Sequence, residues 1–454
     1  MEGDGTKALA ARILAEAIRI DTTNPPGDER PLAEYLVEVA REAGLESRVV
    51  PTPPPRGGSG EGPGRAAAWA RLPGRGDGRP LVLLSHLDVV PADAAEWTLP
   101  PFAGIVAGGH VVGRGALDAK GVAVVHLLAL AELARRDPPP RRDVIFLSVP
   151  DEETGGRDGA AWLTRERRDL LGDAAWLLGE GGGILAGVEG QPDVWGVTFT
   201  EKSPCWLELR ARGPGGHGST ASPDAATHRL VEALARVREM DLPVRVVPEV
   251  ARSFEALARL SPPEEAARLR DLRRSLAEVP AFRERFLADP GRAALVRDTV
   301  TITVLEAGGR TNVVPPVARA EIDARLLPGS RCDAFAERMR FTIGDPAVEL
   351  HVMLAFPSRP SPVDTELFDA IARVAARRDP EAAVVPRVIP GFTDAHYFRE
   401  LGLVAYGFVP RRLRPVETRS IHGPNERIDL DNLAFGVEVL VEIVRELDRI
   451  GPDR

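Results

Sequence analysis

Two patterns of hydrophobic and polar residues divide the chain. In the first half, short continuous apolar runs alternate with helical patterns, and the runs cover 80–85 (PLVLLS), 144–149 (VIFLSV) and 174–178 (AAWLL). Continuous apolar runs of this length are typical of strands buried on both faces of a parallel sheet. A strong helical pattern over 121–136 separates the first two runs. The first half therefore predicts α/β layers.

The order of elements changes at about residue 201. Strand, helix, strand, strand, helix and strand patterns follow one another, the order of a small sandwich of four antiparallel strands and two helices. A stretch rich in Arg and Glu, 250–297, interrupts this order and predicts two or three extra helices. The α/β pattern then returns and ends in an amphipathic helix over about 432–450. We therefore predict one domain formed by 1–200 and 358–454, with a second domain, 201–357, inserted into it.

Composition and charge limit the molecules that the protein is expected to bind and where it is expected to be located. The chain has 454 residues and a formal net charge of -9, which argues against a nucleic acid or an anionic membrane as its main partner. No stretch approaches the ~20 apolar residues of a membrane span, and the N-terminal segment lacks the pattern of a secretion signal. Cys205 and Cys332 could form one disulfide at most and make no C-x-x-C pair. A reducing, cytoplasmic location is therefore expected.

Each apolar run is followed at once by residues that could bind a metal ion. His86 and Asp88 follow the first run, Glu152 and Glu153 the second, and Glu180 the third. Ligands bind beyond the carboxyl ends of the strands in open α/β sheets, so these side chains are expected at one edge. Taken singly, such residues are more often loop or surface residues. Together, His, Asp and Glu without cysteine are typical of a site for a divalent cation.

Two further residues could complete this site. Asp118 lies in 113–121 (GRGALDAKG), just before the long helical pattern, where an acidic residue could also be a helix cap. The glycine spacing of that segment does not match G-x-G-x-x-G, which disfavours a dinucleotide site. A second imidazole is still needed. His422, in the loop segment SIHGPNERI before the final helix, is the best candidate.

Eight ordered motifs resemble the M20 family of dinuclear zinc peptidases and aminoacylases, most closely its aminoacylase, carboxypeptidase S and glutamate carboxypeptidase group. The motifs are HLDVVP, GRGALDAKG, DEETGG, LGEGG, GGHGS, TNVVPP, DARLLPG and IHGPNERI. They span nearly the whole chain, which makes the resemblance specific. It implies a zinc-exopeptidase-like catalytic domain with a mixed, largely parallel sheet. It also implies that the inserted domain is a lid or dimerisation domain, through which a homodimer would form.

The resemblance assigns five metal ligands. Asp118 would bridge two divalent metal ions, with Zn²⁺ as the first expectation and Co²⁺ or Mn²⁺ as alternatives. His86 and Glu180 would complete one metal site. Glu153 and His422 would complete the other. The peptide bond after Asp118 is expected to be cis.

The resemblance also assigns catalytic and substrate-binding roles. Glu152 would be the general base, and Asp88 would accept a hydrogen bond from His86 and so fix its tautomer. In the inserted domain, His217 would stabilise the oxyanion, often from the partner subunit of a dimer.

Three more residues would bind substrate. Asn312 would join His217 at the oxyanion, and Arg325 would hold the substrate carboxylate in two-pronged fashion. Gly391 belongs to a segment, GFTDA, that resembles the family's substrate-side loop. The sequence departs from the family at Gly179, where an acid is common, and in the long insert 250–297.

The expected activity is hydrolysis of an amide bond in a small peptide or an N-acyl amino acid that has a free carboxylate. The sequence does not separate aminoacylase from carboxypeptidase or dipeptidase, because loops that line the pocket determine specificity. Two alternatives remain open. One is a non-catalytic binding or scaffold protein that retains the fold, for which loss of Glu152 would be the signature. The other is a nucleotide-dependent enzyme that uses 113–121.

Overall fold

The computed structural model describes residues 2–54, 64–76, 78–187, 191–220 and 222–450. The helices are α1 (Glu2–Arg19), α2 (Arg30–Glu42), α3 (Lys120–Ala134), α4 (Ala160–Glu166), α5 (Ala226–Arg238), α6 (Pro248–Leu257), α7 (Pro263–Arg270), α8 (Leu272–Glu278), α9 (Pro280–Ala288), α10 (Pro290–Leu295), α11 (Cys332–Ile343), α12 (Glu366–Arg378), α13 (Ala395–Glu400), α14 (Pro415–Thr418) and α15 (Leu430–Ile450). In the described part of the chain, no helix combines the length and hydropathy needed to cross a bilayer.

The strands follow the same chain order. They are β1 (Glu46–Pro51), β2 (Ala66–Leu72), β3 (Leu81–His86), β4 (Ile105–Ala107), β5 (His110–Val112), β6 (Val144–Val149), β7 (Trp176–Leu185), β8 (Val194–Glu201), β9 (Ser203–Arg212), β10 (Gly216–His217), β11 (Thr299–Glu306), β12 (Val313–Val314), β13 (Val317–Leu326), β14 (Val348–Ala355), β15 (Ala383–Ile389), β16 (Val404–Leu413) and β17 (Arg427–Asp429).

The chain forms two compact units. The first comprises Met1–Phe199, Ser361–Arg387 and Thr393–Arg454. The second comprises Thr200–Pro360 and the short segment Val388–Phe392.

A mixed eight-stranded sheet, in the order β1-β2-β6-β3-β7-β16-β8-β15, forms the centre of the first unit. β3 is parallel to both β6 and β7, and β7 is parallel to β16. β2 is antiparallel to β1 and β6, and β8 is antiparallel to β16. Every residue of β3 and β6 is buried, as the apolar runs predict. Helices α3 and α15 pack against each other and against this sheet.

Strand β7 differs from its prediction. The apolar run ends at residue 178, but the strand continues to Leu185, so Glu180 lies within the strand and not beyond its end. The reason is close backbone packing, because a Cβ on Gly182 would lie 2.1 Å from the carbonyl oxygen of Gly407 on β16. Glycine at this position allows the two strands to approach closely.

The second unit contains a four-stranded antiparallel sheet in the order β11-β13-β9-β14. Helices α5 and α11 pack on this sheet, which gives the predicted chain order of strands and helices. The prediction of two or three helices in the insert is wrong, because the segment forms five, α6 to α10. Proline at the start of α6, α7, α9 and α10 divides the segment, since proline starts a helix well but cannot continue one.

The two cysteines form a disulfide within the second unit. It joins Cys205 on β9 to Cys332 at the start of α11, across a Cα–Cα distance of 5.4 Å. Two cysteines allow one disulfide at most, and the fold brings them close enough to form it. The cytoplasmic location expected from the sequence stays a prediction.

Candidate metal centre

Three neighbouring strands of the first unit place ionisable side chains at one edge of the sheet. His86 is the last residue of β3, and Glu152 lies in a 3₁₀ turn, Glu152–Thr154, directly after β6. β7, on the other side of β3, contributes Glu180. Parallel neighbours end at the same edge, so residues far apart in the sequence meet there.

The first group of potential ligands is centred on His86. Its Nε2 lies 3.0 Å from Oδ1 of Asp118 and 3.2 Å from Oε2 of Glu180. The ligand atoms of these three residues all lie within 4.8 Å of one another. One imidazole and two carboxylates at this spacing could bind one divalent cation.

The second group shares Asp118 with the first. Nε2 of His422 lies 3.1 Å from Oδ2 of Asp118 and 3.3 Å from Oε1 of Glu153. Because the two oxygens of Asp118 face different imidazoles, this carboxylate could contribute to both groups. The structure thus brings together all five residues that the sequence suggests as ligands.

The electrostatics of the cluster fit bound cations. Burial alone would raise the pKa of Asp118, but His422 and His86 hold it well below its usual range. The carboxylates of Asp118 and Glu153 raise the pKa of His422 to about 10. Burial raises the pKa of both Glu153 and Glu180. Oε1 of Glu153 is buried, and among the described residues it faces Nε2 of His422 at 3.3 Å. Buried carboxylate oxygens with few hydrogen bonds are donors that divalent cations bind.

Glu152 lies beside these ligands. Its side chain is buried, and one of its carboxylate oxygens is within 4.8 Å of ligand atoms of His86 and Glu153. Burial, followed by the negative charge of Glu180, raises the pKa of Glu152 well above its usual range. A higher pKa makes the ionised carboxylate a stronger proton acceptor.

Asp88 is the predicted partner of His86, and the contact is made by its backbone carbonyl oxygen. Nδ1 of His86 lies 2.9 Å from the backbone carbonyl oxygen of Asp88, whereas the nearer carboxylate oxygen is 3.6 Å away. The carbonyl still fixes the tautomer, because Nδ1 must donate and Nε2 is left free to bind metal. The carboxylate instead accepts hydrogen bonds from the backbone N–H groups of Glu152, at 3.1 Å, and Glu153, at 3.0 Å.

Sequence reasoning missed Glu426. This buried carboxylate accepts hydrogen bonds from the backbone N–H groups of Leu117, at 2.7 Å, and Asp118, at 3.0 Å. It also accepts one from Arg114 at 2.8 Å. Glu426 therefore holds the loop that carries Asp118, whose peptide bond to Ala119 is cis as expected. The only signal in the sequence is its place in the IHGPNERI motif.

The second unit contains the other predicted site residues. His217 is exposed on β10, and it pairs with Val313 of β12, next to Asn312. The backbone N–H of Gly218 donates to the carbonyl oxygen of Asn312 at 2.9 Å. Nδ1 of His217 lies 2.8 Å from the hydroxyl of Ser219. The structure thus brings His217 and Asn312 together within this unit.

Arg325 projects from β13 and is held on several sides. Asp323 accepts from its Nε at 2.6 Å and from its Nη2 at 3.0 Å. The guanidinium carbon lies 4.7 Å from the ring centre of Phe392, the neighbour of Gly391, and 5.6 Å from that of Trp206. The edge of the guanidinium formed by Nε and Nη2 is therefore occupied by Asp323. The end of the guanidinium formed by Nη1 and Nη2 is the part that could bind a carboxylate.

The chain is similar to known proteins in sequence and in fold. A family model described as peptidase family M20/M25/M40 matches residues 82–446. N-fatty-acyl-amino acid synthase/hydrolase PM20D1 of Mus musculus is 30% identical over 384 residues, which cover 82% of this chain and 74% of that protein. Aminoacylase-1 of Sus scrofa is 26% identical over 443 residues, 96% of this chain and 94% of that protein. The M20 family metallo-carboxypeptidase Sso-CP2 from Sulfolobus solfataricus has a similar fold, with a TM-score of 0.74, 20% identity and coverage of 97% and 99%.

Proposed function

The chain belongs to the M20/M25/M40 peptidase family, and on this premise we propose that it is a dinuclear metal-dependent hydrolase of amide bonds. The family match and the named relatives make it a peptidase or amidohydrolase. The observation that supports two metal ions is the position of Asp118, whose two oxygens face His86 and His422. A single carboxylate shared by two ligand groups is what a bridging ligand requires.

The proposed metal ions have defined ligands. His86 and Glu180 would bind one ion, Glu153 and His422 the other, and Asp118 both. Imidazole and carboxylate donors without thiolate suit Zn²⁺, and they also suit Co²⁺ or Mn²⁺. When bound, such ions lower the pKa of a water and polarise the carbonyl of an amide.

The remaining chemistry comes from residues of the chain. Glu152 would accept the proton of the attacking water and then pass it to the leaving nitrogen. Its buried position and raised pKa suit both steps. Asp88 would keep Glu152 in place through its hydrogen bond to the backbone of the turn.

Residues of the second unit would bind the substrate. His217 and Asn312 would stabilise the negative charge that develops on the carbonyl oxygen. Arg325 would bind a free carboxylate through its Nη1 and Nη2 end, because Asp323 already holds the other edge. As in the sequence prediction, a homodimer would form through this unit, and Gly391 would lie on the substrate side.

The proposed substrates are N-acyl amino acids and small peptides with a free carboxylate. The names of the relatives support this class, since they include an N-fatty-acyl-amino acid hydrolase and an aminoacylase. A non-catalytic scaffold role is disfavoured because Glu152 is present and lies within 4.8 Å of the ligand atoms of His86 and Glu153.

The test is a panel of substrates with the metal-free protein reloaded with Zn²⁺, Co²⁺ or Mn²⁺. The panel contains N-acetyl amino acids, N-long-chain-acyl amino acids and dipeptides, with the matching esterified compounds as controls. We expect metal-dependent release of the free amino acid from at least one class. Absence of hydrolysis across the panel with all three metals would contradict the proposal.

A further inference from the structure

A buried polar network lies beneath the turn that carries Glu152 and Glu153. Its central members are Asn24, Arg65 and Asp151, none of which is more than 4% exposed. They come from three separate parts of the first unit. The mechanism proposed above gives none of them a role.

Arg65 is connected to Asp88 through Asn24. Nη2 of Arg65 donates to Oδ1 of Asn24 at 2.7 Å, and Nδ2 of Asn24 donates to Oδ2 of Asp88 at 2.8 Å. The amide of Asn24 is thus fixed in one orientation, since its oxygen faces a guanidinium and its nitrogen faces a carboxylate. Asp88 in turn accepts the backbone N–H groups of Glu152 and Glu153.

Arg65 also contacts the start of the same turn directly. Its Nη1 donates to Oδ1 of Asp151, the residue before Glu152. Asp151 has a φ of 78°, which is uncommon for a residue other than glycine. Its other oxygen accepts the backbone N–H of Asp158 at 2.8 Å. A backbone conformation of this kind persists where surrounding contacts hold it.

Arg65 is hard to replace because its positive charge lies beside two buried carboxylates, those of Asp151 and Glu29. Its guanidinium faces the carboxylate of Asp151, and its Nε lies 3.5 Å from Oε2 of Glu29, which is fully buried. A Cβ on Gly27 would lie 2.3 Å from Nη2 of Arg65, so the chain leaves room for this side chain. Removal of a buried charge leaves its partners uncompensated, which is strongly unfavourable.

We propose that Arg65 is a positioning residue, which fixes the general base Glu152 and the metal ligand Glu153 through Asp151 and through the Asn24–Asp88 pair. This inference rests on the proposed function, because it needs Glu152 and Glu153 to have the roles given above. Misplacement of a reacting group by ~1 Å can cost about 100-fold in rate. The two routes from Arg65 act on adjacent backbone positions, so they would set both side chains together.

The experiment compares Arg65→Met with Arg142→Met. Arg142 is a matched control because it is also a fully buried arginine of the first unit, and its Nε donates to Asp448 at 3.1 Å. It precedes strand β6, whereas Asp151 follows that strand, so the two arginines act at opposite ends of it. Asn24→Ala is a second variant, which cuts the link to Asp88 and leaves Arg65 in place.

Three quantities are measured for each variant: kcat and KM for a hydrolysed substrate, the affinity of the metal-free protein for Zn²⁺ by calorimetry, and the thermal midpoint. We expect Arg65→Met and Asn24→Ala to lower kcat about 10- to 100-fold with little change in KM, and to weaken one of two Zn²⁺ sites by a similar factor. Arg142→Met should lose thermal stability but keep the wild-type kcat and both Zn²⁺ affinities.

The inference is overturned if Asn24→Ala and folded Arg65→Met match Arg142→Met in kcat and in both Zn²⁺ affinities. If Arg65→Met does not fold, Asn24→Ala decides the question alone. A wild-type protein that hydrolyses no amide would count against the proposed function instead. In that case the Zn²⁺ affinities still test whether Arg65 positions Glu153.

Discussion

Oδ2 of Asp118 lies 3.1 Å from Nε2 of His422. The other oxygen of the same carboxylate lies 3.0 Å from Nε2 of His86. Glu426 holds the backbone at Asp118 through a hydrogen bond of 3.0 Å, so the shared carboxylate has a fixed position. Loss of one negative charge at this residue should therefore affect both proposed metal sites.

Asp118→Asn is expected to reduce the bound Zn²⁺ from two ions per chain to one or none, and to lower kcat/KM at least about 1000-fold. The amide keeps the size of the side chain but has one oxygen and no charge, so it cannot bridge two cations. Metal content after dialysis and hydrolysis of an N-acyl amino acid are measured together. Asp169→Asn, at an exposed position of the first unit, is the control. Two ions retained by Asp118→Asn would show that this residue is not the bridge.

Arg325→Met is expected to abolish the preference for substrates with a free carboxylate. In the wild type, conversion of that carboxylate to an amide should lower kcat/KM about 10- to 100-fold, because a charge-assisted hydrogen bond contributes about 1.5–3 kcal/mol. In Arg325→Met the two substrates should react at similar rates. Arg331→Met changes an exposed arginine of the same unit and should keep the preference. An unchanged preference in Arg325→Met would remove Arg325 from its assigned role.

His126→Leu is expected to weaken the pH dependence of the free energy of unfolding at pH values below 6.5. His126 is fully buried in α3, and neither ring nitrogen has a hydrogen-bond partner in the described chain. Burial lowers its pKa from 6.5 to about 3. Between these values the unfolded chain binds a proton that the folded chain does not, so stability falls as the pH falls below 6.5.

The measurement is the free energy of unfolding by urea between pH 7 and pH 4, for His126→Leu and for the exposed control His351→Leu. The wild-type slope should exceed that of His126→Leu by up to about 1.4 kcal/mol per pH unit. The control should keep the wild-type slope. Parallel curves for the wild type and His126→Leu would rule out this contribution.

The disulfide predicts two linked results. Cys205 and Cys332 close a loop with a sequence separation of 127, for which chain entropy alone gives about 4–5 kcal/mol of stabilisation. Because both cysteines are bonded, protein denatured without reductant should show no free thiol. The double variant Cys205→Ser/Cys332→Ser lacks this stabilisation and should unfold at a lower urea concentration. Two free thiols in protein purified under air would contradict the bond.

The parts of the site that depend on strand order could be predicted from the sequence. Continuous apolar runs mark β3 and β6, and His86 and Glu152 lie where those strands end, because parallel neighbours deliver their carboxyl ends to one edge. Asp118 and His422 lie in loops, which no periodicity places beside these strand ends; the residue pattern made them candidates, and the family resemblance assigned them as ligands.

Other features depend on tertiary contacts that periodicity does not encode. Glu180 lies within β7 because glycines allow close strand packing, although a run of glycines in a sequence usually indicates a turn. The acceptor for His86 is a backbone carbonyl, and the carboxylate of Asp88 binds the neighbouring turn. The Nε and Nη2 edge of the Arg325 guanidinium is occupied by Asp323, which lies two residues earlier on the same face of the strand.

The most direct test of the account is a titration of metal-free protein with Zn²⁺, in which bound metal and hydrolysis of an N-acyl amino acid are followed together in the wild type and in Glu152→Gln. We predict that activity of the wild type increases until two ions per chain are bound. Glu152→Gln should bind the same two ions but lose at least about 100-fold in kcat, since the general base is absent. A wild type that is fully active with no bound metal, or a Glu152→Gln protein as active as the wild type, would contradict the account.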